Sequence, residues 1–385
     1  MTANSSPKSG EIVVHVFGKT DVGRTREHNE DSFVVADLNT MNATLQPEVR
    51  THQPGEMGSL FMVADGMGGA AAGEIASAMA TEVVLHELDT RWRSAATHDS
   101  ETFARAIKAA AETANARIHR YATEHPENRG MGTTATIAGL FHDTLYLAQV
   151  GDSRAYMVRN GVAQQITKDQ SLMQKLVEAG ELTAEEAEVS ERRNIILQAL
   201  GPEPAVKVDL TYQQVRRGDV LVLCSDGLSG QIRTSDIARI VGEQPDLVNV
   251  CKELIDLANE NGGPDNITVI AVRFDGSGLD VASAGEDVGH QAYMSQSDSR
   301  VTVPVDLGVV HALDPDAHAN VLPTDDRPTT PAHRFSGAPR PSAPPMKAAA
   351  RAPIPEGRVP KNLLRLIFGA IAVAIAVYLY VKFRG

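Results

Sequence analysis

At 385 residues the chain is longer than a usual single domain, and with 42% hydrophobic residues it can bury a sizeable core. A formal net charge of −13 argues against a protein that neutralises phosphates along a duplex, which needs a positive face, so no nucleic-acid partner is expected. The 2 cysteines, Cys224 and Cys251, are too few and too far apart for a disulfide scaffold or a four-ligand zinc site; both lie in apolar runs that suit core packing in a reducing compartment.

In chain order, residues 1–10 are polar and lack the basic flank and apolar run of a secretory signal; they read as a disordered N-terminus, with the folded part left in the cytoplasm. Residues 11–275 alternate β-like runs with helical patterns. Strands are predicted at 12–16, 32–36, 60–64, 133–139, 144–150, 154–158, 206–212, 220–224 and 267–274. An Ala-rich helix is predicted over 74–88. A second follows from Phe103, Ile107, Ala110, Ala114, Ile118 and Tyr121, which recur at spacings of three and four and so share one face. Residues 170–179 and the capping box Thr183-Ala184-Glu185-Glu186 suggest a helical insertion. Leu247, Val250, Cys251, Leu254 and Ala258 mark a last helix after the cap candidate Asp246.

Connections such as Phe141-His142-Asp143 and Arg159-Asn160-Gly161 are too short for parallel crossovers, so the strands should pair antiparallel. Two such sheets packed between helix layers would bury all these faces, an α+β fold with a central β-sandwich flanked by helices in the order α-β-β-α.

Beyond the domain, residues 276–360 keep no apolar period and are rich in Pro and Ala, as expected of a disordered linker. Residues 363–381 are apolar except for Arg365 and approach the roughly 20 helical residues that cross a bilayer, so a transmembrane helix is expected. Arg365 can snorkel to the headgroups at one end, while Tyr378 and Tyr380 suit the opposite interface. Basic residues flank both ends, including the short tail 382–385, so charge does not set the orientation. The expected topology is a single-pass C-terminal anchor in the cell membrane with the domain in the cytoplasm.

Acidic clusters recur where predicted strands begin or stop: Asn29-Glu30-Asp31, Asp65-Gly66-Met67-Gly68-Gly69, Ser225-Asp226-Gly227 and Pro264-Asp265-Asn266. Taken singly each reads as turn chemistry. Taken together they supply carboxylates on rigid supports, and an all-oxygen set favours Mg²⁺ or Mn²⁺ over zinc. In Phe61-Met62-Val63-Ala64-Asp65-Gly66 an apolar strand runs straight into an acid and a glycine, and Leu221-Val222-Leu223-Cys224-Ser225-Asp226-Gly227 repeats that design. The Gly66 carbonyl is a further oxygen donor. No Gly-Lys-Ser/Thr follows these glycines, so they form no nucleotide loop. Arg26, four residues before Glu30, could take a phosphate with its guanidinium fork, or serve as a solvated charge beside Arg24 and Glu27.

From about residue 13 to 273 the chain resembles the bacterial branch of the metal-dependent type 2C (PPM) serine/threonine protein phosphatases. The resemblance rests on Arg26-Glu27-His28-Asn29-Glu30-Asp31, Asp65-Gly66-Met67-Gly68-Gly69, Gly132-Thr133-Thr134, Gly151-Asp152-Ser153-Arg154, Ser225-Asp226-Gly227 and Asp265-Asn266-Ile267-Thr268, all in the family's order. It implies two Mn²⁺ or Mg²⁺ ions: Asp65 bridging both, the Gly66 carbonyl on one, Asp226 and Asp265 on the other. Glu30 and Asp31 would hold metal-bound waters, Arg26 would clasp the substrate phosphate, and Asp152 would serve a third, weaker metal site. Eukaryotic relatives carry a histidine, a candidate general acid, where this chain has Met67, and many relatives carry an acid where it has Gly230.

The expected reaction is hydrolysis of phosphoserine and phosphothreonine by a water that the ion pair ionises near neutral pH, without a phosphoenzyme. Expected partners are phosphorylated proteins, including a bacterial Ser/Thr kinase and its substrates. The alternatives are a phosphoprotein-binding scaffold without turnover and a dedicated phosphatase of an anti-sigma antagonist. Residues 167–201, charged and helical in pattern, occupy the place of the family's flap beside the active site.

Overall fold

The computed structural model describes residues 10–42, 51–68, 72–188, 190 and 192–294. All lie in one compact unit, Met1–Asp306; a second, Leu307–Gly385, falls outside the described residues, and with it the expected anchor at 363–381. Among the described residues no helix is long and apolar enough to cross a membrane.

The first half of the domain comprises β1 (Val13–Asp21), β2 (Asp31–Asp37), β3 (Thr51–His52), β4 (Ser59–Met67), α1 (Ala72–Glu87), α2 (Ser100–Glu124), β5 (Gly132–Thr133), β6 (Ala135–Phe141) and β7 (Thr144–Val150). The second comprises β8 (Arg154–Arg159), β9 (Val162–Gln165), α3 (Leu172–Glu178), α4 (Ala184–Glu188), β10 (Asp209–Gln214), β11 (Val220–Cys224), α5 (Asp226–Ser229), α6 (Thr234–Glu243), α7 (Leu247–Glu260) and β12 (Ile267–Asp275). One sheet runs β3-β1-β12-β11-β8-β9 and the other β10-β7-β6-β4-β2, with β5 alongside β4. Every strand pair is antiparallel, as the short connections require. Asn160 and Gly161 turn the β8–β9 hairpin at φ 53 and 78, the left-handed values that a two-residue turn of this twist demands.

The layers explain why the central strands read as unbroken apolar runs. In β4, Leu60, Met62 and Ala64 face the layer of α1 and α2, while Phe61 and Val63 face the space between the sheets. In β11, Leu221 and Leu223 meet that same space from the other side, and Val220, Val222 and Cys224 pack toward α6 and α7. Each strand is thus buried on both faces, and the α-β-β-α order follows. Both cysteines are core residues of the α6–α7 side, and burial pushes each thiol up to about 12, which leaves them inert.

The expected caps form. Asp246 accepts from the Val248 amide at 3.1 Å, and the Thr183 and Glu186 side chains each accept from the other's backbone, at 3.2 and 2.8 Å. Four departures from the sequence reading have physical causes. The run predicted at 133–139 breaks at Thr134, because that residue's amide turns to the Asp65 carbonyl at 2.9 Å. β1 extends to Asp21, since its whole length pairs with β12, a partner far away in sequence. The strand expected at 206–212 is shifted to Asp209–Gln214, where it pairs with β7. Helix α6 went unpredicted although Ile237, Ile240 and Val241 recur at helical spacing.

The first stretch of the expected linker is not separate from the domain. Residues 276–294 pack back on the domain, burying Leu279 and Val288 between the sheets. The Tyr212 amide donates to the Gln291 carbonyl at 3.0 Å and the Tyr293 amide to that of Leu210 at 2.8 Å, so the segment lies along β10. Its apolar anchors are too widely spaced to produce a period. The remainder of the expected linker lies outside the described residues.

Candidate active site

Four of the acidic clusters meet because antiparallel strands bring their ends together. Asp31 opens β2 directly opposite Asp65 near the end of β4. Asp226 follows β11 and Asp265 precedes β12, and these two strands are neighbours in the other sheet. Asp152 lies in the turn between β7 and β8. Gly66 is required where it stands: a Cβ there would come within 2.2 Å of the Gly73 carbonyl oxygen and 2.4 Å of that of Glu30, both backbone atoms that cannot yield cheaply.

Between the strand ends lies a cleft of about 270 Å³, lined by Arg26, Glu30, Asp65, Gly66, Asp152, Asp226 and Asp265. Asp31 is buried behind it. Every site residue expected from sequence is therefore in one place. The Arg26 guanidinium is half-exposed and donates to Asp265 Oδ2 at 2.7 Å, so in this state the expected phosphate ligand is paired with an expected metal ligand.

The electrostatics are dominated by crowded carboxylates. Burial pushes the Asp31 carboxyl up to about 7, partly offset by hydrogen bonds from Thr268 and Ser225. Asp152 is pushed up to about 7 by burial and then by Asp226. Asp65 lies well above the usual carboxylate range, through burial first and Asp31 next. Asp226 is raised by burial and then by Asp265, and Glu30 by burial. Asp31 Oδ1 is buried without a hydrogen-bond partner. So much negative charge, with an unpartnered acceptor among oxygen-only donors, fits a hard divalent cation. Among the described residues no three His, Cys, Asp or Glu side chains converge as a ready-made metal cage.

The supports of these acids were not legible in sequence. Thr134 Oγ1 accepts from the Asp65 amide at 3.0 Å and lies 2.7 Å from Ser153 Oγ, while Thr133 Oγ1 donates to the Asp65 carbonyl at 2.9 Å. Ser225 Oγ donates to Asp31 Oδ2 at 2.8 Å and accepts from the Thr268 amide at 2.9 Å. Asn194 and Ile196 line the cleft from the segment expected to act as a flap. That segment is held by paired backbone bonds, Leu172 N to Ile195 O at 2.9 Å and Leu197 N to Gln170 O at 2.7 Å. A run of Gly-Thr-Thr and an acid followed by Asn were the available signals, but neither says which group the side chain touches.

The family profile described as Protein phosphatase 2C matches residues 45–268 of this chain. The chain is 35% identical over 263 residues to the serine/threonine phosphatase Stp of Listeria monocytogenes, covering 68% of this chain and 96% of that protein. It is 34% identical over 260 residues to the serine/threonine protein phosphatase PstP of Mycobacterium tuberculosis, covering 67% of this chain and 45% of that protein. Among solved structures it is similar to the Mycobacterium tuberculosis phosphatase PstP/Ppp, with a TM-score of 0.57 and 33% identity over 68% of this chain and 99% of that one. It is also similar to the PstP catalytic domain in complex with 2 manganese ions, with a TM-score of 0.55 and 33% identity over 69% of this chain and 99% of that one.

Proposed function

The chain belongs to the protein phosphatase 2C family and is a protein serine/threonine phosphatase; from that premise we propose that it works with two divalent cations, Mn²⁺ or Mg²⁺, held among Asp65, the Gly66 carbonyl, Asp226 and Asp265. The observation that carries this reading is the meeting of these oxygens in one cleft over the unpartnered, buried Asp31 Oδ1. When bound, the ions supply a water ionised near neutral pH and offset the negative charge that builds on the phosphoryl oxygens. Glu30 and Asp31 hold water at the rear of the cleft, and Asp152 serves a third, weaker site. Arg26 exchanges its contact with Asp265 for the substrate phosphate, which its planar fork can grip through two oxygens. Thr133 and Thr134 keep the Asp65 backbone still while the reaction proceeds. Met67 has no ionisable proton, so the leaving alkoxide must take its proton from another group.

The full chain should hydrolyse a phosphothreonine peptide in millimolar Mn²⁺ and stop when the metal is chelated. Turnover that survives chelation, or transfer of labelled phosphate onto the protein, would sink the mechanism.

The substrates in this reading are phosphoproteins of a bacterial Ser/Thr kinase, and the apolar run 363–381 tethers the enzyme to the cell membrane with its domain in the cytoplasm. The length of that run and its basic flanks support the tether. Tethering would raise the local concentration of membrane-bound substrates without any new contact. In fractionated cells the full chain should sediment with membranes and a form ending at Pro360 should not; equal solubility of the two would refute the tether.

A further inference from the structure

We propose that Asn266 is a positioning residue that sets Arg26 over the cleft. The inference rests on the reading of Arg26 as the phosphate ligand and extends it to the residue that places it.

Arg26 lies in the loop between β1 and β2, where residues 24–28 are all exposed. Apolar burial therefore cannot offset the entropy of ordering this loop. The Asn266 amide, only 4% exposed, takes over that role. Its Oδ1 accepts from the Glu30 amide at 2.8 Å, and its Nδ2 donates to the carbonyls of Val22 at 3.0 Å and His28 at 2.9 Å. The three contacts bracket Arg26 on both sides. One further tie, Arg24 N to Gly263 O at 2.7 Å, joins the loop to the segment just before Asp265.

The chemistry of these partners selects asparagine. One amide hydrogen needs an acceptor and two carbonyls need donors, which fixes the orientation of the side-chain amide and matches its inventory. Aspartate would have no donor and would add a charge beside Glu30 and Asp265; glutamine is one methylene too long. The backbone of the same residue also orients Asp265, because the Asn266 amide donates to Asp265 Oδ1 at 2.8 Å while Arg26 holds Oδ2. One residue thus fixes the loop that carries the cation and the carboxylate that it faces.

The test is a mutant cycle in the full chain with Mn²⁺ and a phosphothreonine peptide, reading KM, kcat and, by calorimetry, Mn²⁺ affinity. R26A should raise KM about tenfold, N266A about three- to tenfold, and R26A/N266A no more than about twofold beyond R26A, since the second change acts only through the first. Mn²⁺ affinity of N266A should stay within about twofold of the parent, because the carboxylates remain. N266S, whose hydroxyl can keep part of the contacts, should lie between parent and N266A, and it replaces N266A in the cycle if the latter does not fold. An unchanged KM in N266A, an undiminished effect in the R26A background, or a parallel loss of Mn²⁺ affinity would each overturn the inference while leaving the phosphate reading intact. An unchanged KM in R26A would overturn that reading and this inference with it.

Discussion

Asp65 and Asp226 end two strands that read alike, an apolar run into Asp-Gly, yet the fold supports them by different means. Asp65 stays inside β4, opposite Asp31, and both its backbone groups are taken by the threonines of the neighbouring run. Asp226 instead opens the single turn α5, where its carbonyl accepts from the Gly230 amide at 2.7 Å. The hydroxyl of Ser225, the residue before it, is turned away to hold Asp31. A repeated motif has therefore produced one acid anchored by a ladder and one anchored by a turn, and the two should fail differently.

The largest expected effect separates them directly. Removing a partner that lies behind a metal ligand costs about 10–100-fold, so losing a ligand itself should cost more than about 100-fold in kcat/KM. Asp65→Asn should lose that much and stay inactive as Mn²⁺ is raised, because by the family resemblance Asp65 would serve both ions. Asp226→Asn should lose as much at low Mn²⁺ and recover in part at high Mn²⁺, since only one ion is weakened. An activity assay across a manganese titration decides; equal recovery of both variants would erase the distinction.

A smaller effect tests the supports. Thr134→Val strips the Asp65 amide of its acceptor, and Ser225→Ala removes the hydroxyl that donates to Asp31 Oδ2, the neighbour of an oxygen that already lacks a partner. Each exposes a buried polar group to an unmet need, worth about 1–3 kcal/mol of stability. In activity we expect about tenfold for each, with Thr134→Ser restoring most of the loss. Chemical denaturation and steady-state kinetics measure the two together; loss of stability with unchanged kcat would reduce Thr134 to a structural role.

These supports mark the limit of what the sequence made legible. The acids stood out because each sits in a short local motif at the end of a run buried on both faces, so periodicity and composition found them together. Their partners are remote: Thr134 is 69 residues from Asp65, Ser225 is 194 from Asp31 and Asn266 is 236 from Glu30. No local pattern encodes such a contact; only the pairing of β4 with β5 and β6, and the meeting of β2 in one sheet with the ends of β11 and β12 in the other, creates it. The same reason hid the packing of residues 276–294 on the domain. Leu279 and Val288 are anchors set by the space between the sheets, not by a period along the chain.

The smallest effect asks which end of the cleft stores more unfavourable charge. With carboxyls that hold their protons up to about 7 at Asp31 and Asp152, and with Asp65 and Asp226 raised as well, the metal-free folded state binds more protons than the unfolded chain above an ordinary carboxyl pKa of 3.8. Stability from these groups is thus complete at low pH and falls away as pH rises through about 7. His52, whose imidazole burial lowers, acts in the opposite direction as pH falls below its usual 6.5, but it is one group against several. In chelator the melting temperature should therefore be higher at about pH 5.5 than at about pH 7.5, by roughly 2–4 °C for each kcal/mol involved. Mn²⁺ should reverse the trend, because ions compete with protons for the same oxygens and stabilise most where the carboxyls are ionised. Asp31→Asn, at the ladder-anchored end, should flatten the metal-free slope more than Asp152→Asn, since Asp31, unlike Asp152, carries a buried oxygen with no partner. A melting temperature in chelator that rises with pH would show that the cleft's charge is neutralised by the fold itself, and the case for a cation completing it would lose its electrostatic basis.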